Sequence, residues 1–249
     1  MLRNRASIMV TLDSERLLRV WEESALLSPA RRSLLLVQRF APKQEERVED
    51  LAVGERDWRL LLLRKDWFGD TVEGITQCPQ CQTKVELDFS ISSLPAPARS
   101  IATQTTCVGD YRVQWRLPSA GDLADLTDNR DVSGVRDGLL QRCLIEVKQG
   151  ESLVDSLHCP ESVVQQVGAD MAAVDPLADS RFHLRCPECQ FQWLASFDIG
   201  SFLSREVDNW ARKLLREVHV LAVAYGWSEQ SILAMSTARR NRYLEMLDS

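Results

Sequence analysis

Cys78-Pro79-Gln80-Cys81 and Cys186-Pro187-Glu188-Cys189 are two copies of one four-residue phrase, and their reading decides the fold. Two Cys-x-x-Cys pairs supply the four thiolates of a tetrahedral structural zinc, and a tight turn carrying Pro holds each pair at chelating distance. The residues that follow repeat too. Gln82, Phe89, Ile91 and Ser93 stand one, eight, ten and twelve places after Cys81, and Gln190, Phe197, Ile199 and Ser201 stand at the same offsets after Cys189. One supersecondary unit is used twice, and a shared ion would join its copies. The plainer alternative is two unrelated hairpins with reduced thiols. The expected site is one structural Zn2+ per chain on Cys78, Cys81, Cys186 and Cys189.

The flanking pattern says what kind of site this is. Val85, Leu87, Phe89 and Ile91 alternate with Lys84, Glu86, Asp88 and Ser90, the period of a half-buried strand. Trp193, Ala195, Phe197 and Ile199 repeat the alternation. Each knuckle thus reads as strand-turn-strand, as in a zinc ribbon. A redox Cys-x-x-Cys sits at a helix N-terminus, where the dipole lowers the thiol pKa, and a strand follows here instead. Four protein ligands leave no open coordination position, which argues against catalysis at the metal. His183, three residues before Cys186, is the candidate substitute ligand.

Composition sets the wider bounds. The chain has 249 residues, 45% hydrophobic and 27% charged, an ordinary soluble balance. Its net charge of −6 argues against a nucleic-acid surface spread over the whole protein. No apolar run reaches the length of a membrane span, and Met1-Leu2-Arg3-Asn4-Arg5 lacks a signal-peptide core. Seven cysteines without an export signal point to a reducing cytoplasm. Cys107, Cys143 and Cys159 lie outside the knuckles and read as small buried hydrophobes.

Outward from the knuckles, the fold class is α+β: a zinc-ribbon-like pair of hairpins, helical N- and C-terminal regions, and an inserted small α+β lobe. The expected parts are 1–66 (N-terminal helices), 67–99 (first knuckle half), 100–175 (inserted lobe), 176–202 (second knuckle half) and 203–249 (C-terminal helices). In the first part Leu12, Leu17, Leu18, Trp21 and Leu26 form one helical stripe, and Pro29 opens a second helix. Pro42 and the charge run over 43–50 read as a solvated connection. A third helix is expected over 56–66 with Trp58, Leu61, Leu62 and Leu63 inward, broken by Gly69 before a strand over 72–77.

Residues 92–97 read as a stiff linker. A hairpin is expected from 101–107 and 111–117, then helices over 120–126, 134–147 and 161–174, the last opened after Pro160 and stopped by Pro176. Near the end, Val207, Trp210, Ala211, Leu214, Val218, Leu221, Ala222 and Tyr225 keep helical spacing. Asp208–Arg212 and Lys213–Glu217 are expected as i,i+4 pairs on the opposite face. Gly226 terminates that helix, and Ser228 and Ser236 cap two short ones. Arg239, Arg240 and Arg242 read as a solvated basic face.

No catalytic constellation appears. His158, His183 and His219 sit in separate elements, and there is no His-x-Glu before a Pro-Cys-x-x-Cys, no P-loop and no Gly-rich dinucleotide turn. The expectation is no enzyme. A nucleic-acid role needs Lys and Arg with exposed aromatics near the knuckles. The local charges are mixed: Lys84 and Arg185 against Glu86, Asp88, Glu188 and Asp198. A zinc-ribbon nucleic-acid or transcription-associated adaptor is the alternative function.

Gly54-Glu55-Arg56-Asp57 through Trp67-Phe68-Gly69-Asp70, with the first knuckle and Leu87-Asp88-Phe89, resembles the zinc-knuckle proteins of contractile-tail gene clusters. The second knuckle with Phe197-Asp198-Ile199, Leu214-Leu215-Arg216-Glu217-Val218-His219 and Tyr225-Gly226-Trp227-Ser228-Glu229 does so too. That family is similar to the T4-type phage baseplate hub and assembly proteins. The resemblance covers roughly 50–94 and 176–247. It implies a non-enzymatic part in building the baseplate of a phage tail or contractile injection system, through protein–protein contacts with hub and spike proteins. No membrane partner is implied, and the oligomeric state is left open. The expected places are the cytoplasm of the producing bacterium and, for a retained component, the finished particle.

Overall fold

The computed structural model describes residues 14–41, 47–97, 103–127 and 132–247. Helix and strand are both abundant, in agreement with the α+β reading. The chain divides into two compact units, one of Leu27–Gly200 and one joining Met1–Leu26 to Ser201–Ser249.

The described chain enters on α1 (Ser14–Glu23), which belongs to the smaller unit, with Leu17, Leu18 and Val20 buried. Leu26 is not on its stripe: it lies past the helix end, almost wholly exposed. Leu12, Pro42 and the first part of the charge run lie outside the described residues. In the larger unit, α2 (Pro29–Phe40) starts as Pro29 predicts, with the Ser28 hydroxyl accepting from the Arg31 amide. The end of the charge run is not simply solvated, because Val48–Asp50 forms a 3-10 turn with Val48 buried.

The third helix, α3 (Val53–Phe68), begins earlier than expected and is enclosed nearly all round. Leu60, Leu61 and Leu63 are buried, but Leu62 points outward and Trp58 is only half-buried. Arg56, Arg59 and Arg64 take the buried places that a count of apolar residues assigned to Leu62 and Trp58. They can do so because each has acceptors. Arg56 meets Asp57 at 2.7 Å, Arg59 meets Glu55 at 2.9 Å, and Arg64 donates to the carbonyls of Gly69 and Thr71. Burial pushes the Asp57 carboxyl up to about 6 against the pull of Arg56. At the helix start the Gly54 amide donates to Asp175 Oδ2 at 2.9 Å. A Cβ on Gly54 would stand 1.8 Å from Asp175 Oδ1, so only glycine admits this approach.

The strands β1 (Thr71–Gln77) and β2 (Lys84–Ser90) form an antiparallel hairpin. A four-stranded sheet follows in the order β3-β4-β5-β6, built from β3 (Gln104–Val108), β4 (Tyr111–Trp115), β5 (Leu144–Gln149) and β6 (Ser152–Leu153). Two helices, α4 (Ala120–Thr127) and α5 (Val132–Cys143), sit between β4 and β5 in sequence. The helix expected over 134–147 therefore stops at Cys143. Leu144-Ile145-Glu146-Val147 pairs with β4, with Leu144 and Val147 buried and Ile145 exposed, and this pairing outcompetes about one more helical turn. Then α6 (Glu161–Val174) packs Val163 and Val167 onto Val113, Trp115, Leu144 and Val147. The sheet is tied back to the start of α3, where Ala120 donates to Leu51 O and Val53 to Pro118 O. The second hairpin, β7 (Arg181–Arg185) and β8 (Gln192–Ser196), completes the unit.

In the smaller unit α7 (Ile199–Tyr225), α8 (Glu229–Leu233) and α9 (Thr237–Glu245) enclose Leu18, Ala211, Leu214, Val218, Leu221 and Ile232. Gly226 ends α7 at φ +67, and Ser228 and Ser236 cap α8 and α9. Two expectations about charge change here. Glu217 is not on a solvated face: it is buried against Arg240, 3.3 Å away, and Arg240 also donates to Met235 O. The basic cluster thus loses its middle member, while Arg242 pairs with Glu245 and Arg239 lies over the Tyr243 ring. Asp208 accepts from Trp21 Nε1 at 2.7 Å. Tyr225, Trp227 and Tyr243 stack together, so Trp227 serves packing. No helix among the described residues is long and apolar enough to cross a membrane.

Candidate metal centre

Each knuckle is the turn of its hairpin, and the two turns share one hydrogen-bond frame. The Cys78 amide donates to Thr83 O at 2.9 Å, and Cys78 O accepts from the Gln82 amide at 2.9 Å. In the second copy the Cys186 amide donates to Phe191 O at 2.9 Å, and Cys186 O accepts from the Gln190 amide at 3.1 Å. Gln82 and Gln190 carry the reversal, at φ 63° and 62°, the left-handed region that a residue with a Cβ rarely adopts. Each then turns its side-chain amide back onto the carbonyl of Pro79 or Pro187, at 3.5 and 2.8 Å. The shared Gln was visible in the sequence as a repeat. Its conformational task was not.

The inner faces of the hairpins meet. Phe89 of the first stacks on Phe182 of the second at 4.8 Å and meets Phe197 edge-on at 5.2 Å. Toward the tips, Val85 and Trp193 close over Cys78 and Cys186, both fully buried. The base of the first hairpin is pinned to α3 by Asp70, which accepts from the Ser90 and Ser92 hydroxyls and the Ser92 amide and lies 3.2 Å from Lys65 Nζ. These bonds, the Ser90 hydroxyl first, hold the Asp70 carboxyl far below its usual range. Spacing alone gave no signal for this anchor.

Sulfur distances test whether the residues fit a metal. Cys78 Sγ lies 3.6 Å from Cys189 Sγ, Cys81 Sγ lies 3.5 Å from Cys186 Sγ, and all four lie within 4.8 Å of one another. These gaps are much longer than a disulfide's ~2.05 Å. A tetrahedron with Zn–S of about 2.3 Å has sulfur–sulfur edges of about 3.8 Å, so the donor set and spacing fit. Four thiolates share so small a space only if a cation offsets their charge. The Thr83 hydroxyl first, and its amide second, hold the Cys81 thiol down to about 6. Cys189, although the Phe191 amide favours its thiolate, is pushed up to about 12 by burial and the other thiols.

The remaining candidates fall away from this centre. His183 stands on the outer face of β7 and is not among the clustered ligand atoms. Of the other thiols only Cys143 is buried, and burial pushes it up to about 11; Cys159 is half-buried and Cys107 exposed. The charges that looked mixed along the sequence are biased by hairpin, with Glu73, Glu86 and Asp88 outweighing Lys84 on the strands of one and Arg181 and Arg185 on those of the other, beside Glu188 at its turn. Trp67 is taken up by Phe40, 4.9 Å away.

No curated protein and no solved structure matches the chain. The family described as T4 bacteriophage base plate protein matches residues 34–204. The matched span runs through the inserted sheet, which the resemblance in sequence had left out, and stops early in α7, short of the motifs at 214–229. It takes in both knuckles and more than half of the chain, and on that ground the chain belongs to the T4 bacteriophage base plate protein family.

Proposed function

We propose that Cys78, Cys81, Cys186 and Cys189 hold one structural zinc ion in a zinc-ribbon-like pair of hairpins, and that the chain is a non-enzymatic structural or assembly part at the hub of a contractile baseplate. The observation that carries the first half is the convergence of four thiols from hairpins 105 residues apart in the chain. Family membership supports the second half. Bound there, zinc supplies four metal–thiolate bonds and leaves no position for water or substrate. The protein's own groups do the rest: the left-handed glutamines shape the knuckles, Thr83 and Phe191 turn amides toward sulfur, and the Phe89–Phe182 stack aligns the strands.

The partners in this reading are hub and spike proteins of a phage tail or phage-derived injection system. The protein is made in the bacterial cytoplasm and acts there or in the particle. Two measurements test it. Metal analysis of the purified chain should give about one zinc per chain, and a metal-free protein with unchanged folding overturns the site. Deleting the gene should leave the host viable and abolish properly assembled contractile particles. Normal particles from the deletion strain overturn the baseplate role.

A further inference from the structure

Directly opposed residues of an antiparallel pair share a face, and successive pairs alternate between faces. The register therefore fixes what each hairpin shows on the side away from its twin. On the first hairpin the pairs Glu73–Asp88, Ile75–Glu86 and Gln77–Lys84 face out, all exposed. On the second, Arg181–Ser196, His183–Leu194 and Arg185–Gln192 do so. The first outer face is net acidic, three carboxylates against the Lys84 ammonium, and the second carries two guanidiniums and no carboxylate in these pairs. Glu73, Glu86 and Asp88 make no ion pair among the described residues, and neither does Arg185; Arg181 meets Asp179 at 2.5 Å. Each face also carries one large apolar side chain ringed by charge, Ile75 at 69% exposure and Leu194 at 49%.

We propose that the outer face of the first hairpin docks on the outer face of the second hairpin in another copy of this chain. Opposite charge sets the pairing and its polarity, and Ile75 against Leu194 gives the contact an apolar centre within a polar rim. The inner faces are occupied by each other, so the two outer faces point in opposite directions. One copy can then use both at once. Such head-to-tail contact closes into a ring if the rotation permits and otherwise runs on.

Size sets its strength. Strands of seven and five residues span about 23 and 16 Å at about 3.3 Å per residue. Two strands about 4.8 Å apart make a face about 10 Å wide, so the contact covers about 200 Å2 per partner, well under the roughly 800 Å2 of a standard interface, and a dissociation constant on the order of 0.1–1 mM is expected. The contact becomes firm only where many copies are held together. The inference goes beyond the baseplate role and needs only the hairpin pairing.

The test is sedimentation equilibrium of the full-length chain up to about 1 mM, at about 0.05 and 0.5 M salt. The expected result is concentration-dependent self-association that weakens at least several-fold at high salt. Glu73→Lys with Glu86→Lys, and separately Arg181→Glu with Arg185→Glu, should each abolish association, and an equimolar mixture of the two variants should regain it. A chain that stays monomeric, association indifferent to salt, or a variant that associates like the parent overturns the proposal. So does a mixture that fails to associate although both variants keep their metal and melting temperature. If either variant misfolds, the salt dependence of the unmodified chain and the single change Ile75→Ser, expected to weaken association several-fold, decide the matter. Zinc content and particle incorporation are read separately, so failure here leaves the proposed function standing or falling on its own tests.

Discussion

Cys186→Ser removes one sulfur from the proposed zinc site, and the cost expected if zinc is held there can be worked from chain topology. Cys81 and Cys186 are 105 residues apart, and Cys78 and Cys189 are 111 apart. A cross-link closing a loop of about 100 residues removes unfolded-state entropy worth about 4.7 kcal/mol. A tight metal clip does the same, because the unfolded chain must close that loop to bind. Three thiolates hold the ion weakly, so most of that sum should vanish. The stacked Phe89, Phe182 and Phe197 remain and keep the hairpins in partial register, which makes about 4–5 kcal/mol a ceiling. At roughly 2–4 °C per kcal/mol for a chain of this size, the melting temperature should fall by at most about 8–20 °C.

The assay is a calorimetric melt of the parent, Cys186→Ser and Cys107→Ser, each with and without a chelator. Cys107 is exposed on β3 and should melt within about 0.5 kcal/mol of the parent. Chelator should bring the parent down to the level of Cys186→Ser and leave that variant where it is. Equal melting of parent and Cys186→Ser, or a chelator effect that adds to the mutation, refutes the reasoning.

Three further outcomes follow from contacts away from the sulfurs. Gly54→Ala drives a methyl into Asp175 and breaks the bond that joins the end of α6 to the start of α3, costing about 2–4 kcal/mol in a denaturant melt. Arg240→Ala leaves Glu217 buried without its partner and should cost about 3–5 kcal/mol, whereas exposed Arg242→Ala should be near neutral. The Asp57 carboxyl is raised from 3.8 to about 6, first by desolvation, so the folded state binds the proton more tightly than the unfolded one. Its contribution is therefore greatest below about pH 4 and declines as pH rises through 6. Relative to Asp57→Asn the parent should lose on the order of 3 kcal/mol between pH 4 and 7, and a flat or rising difference counts against this burial argument.

What was legible in the sequence was whatever repeats or caps. The convergence of the knuckles could be read because two cysteines in one tight turn keep a fixed spacing, and the strands after them because one face is buried. Ser228, Ser236 and Gly226 announced their helix ends because those positions need a side-chain acceptor or a positive φ. The misreadings share one cause: the sequence shows a residue's polarity but not its partner. Arg56, Arg59 and Arg64 look solvated until their acceptors are placed beside them, and Glu217 finds Arg240 on another helix. Leu144-Ile145-Glu146-Val147 fits either period, and only β4 decides between them. The segregation of charge between the hairpins was likewise hidden, since it depends on which face each residue takes.

One asymmetry in the cysteine cluster bears on how ions come and go. In both knuckles the first cysteine is sealed from solvent, while the second is nearer the surface: Cys78 and Cys186 are buried, Cys81 is exposed and Cys189 half-buried. Traffic must pass through the second pair. For the proposed zinc, Cys81 and Cys189 would be the first thiols an arriving ion meets and the first a competing chelator reaches. Loading and loss of that ion would then be ordered in time, with Cys78 and Cys186 the last to let go. Timed alkylation of the metal-depleted chain should label Cys81 ahead of Cys78 and Cys186, and uniform labelling would show that the cluster opens as a whole.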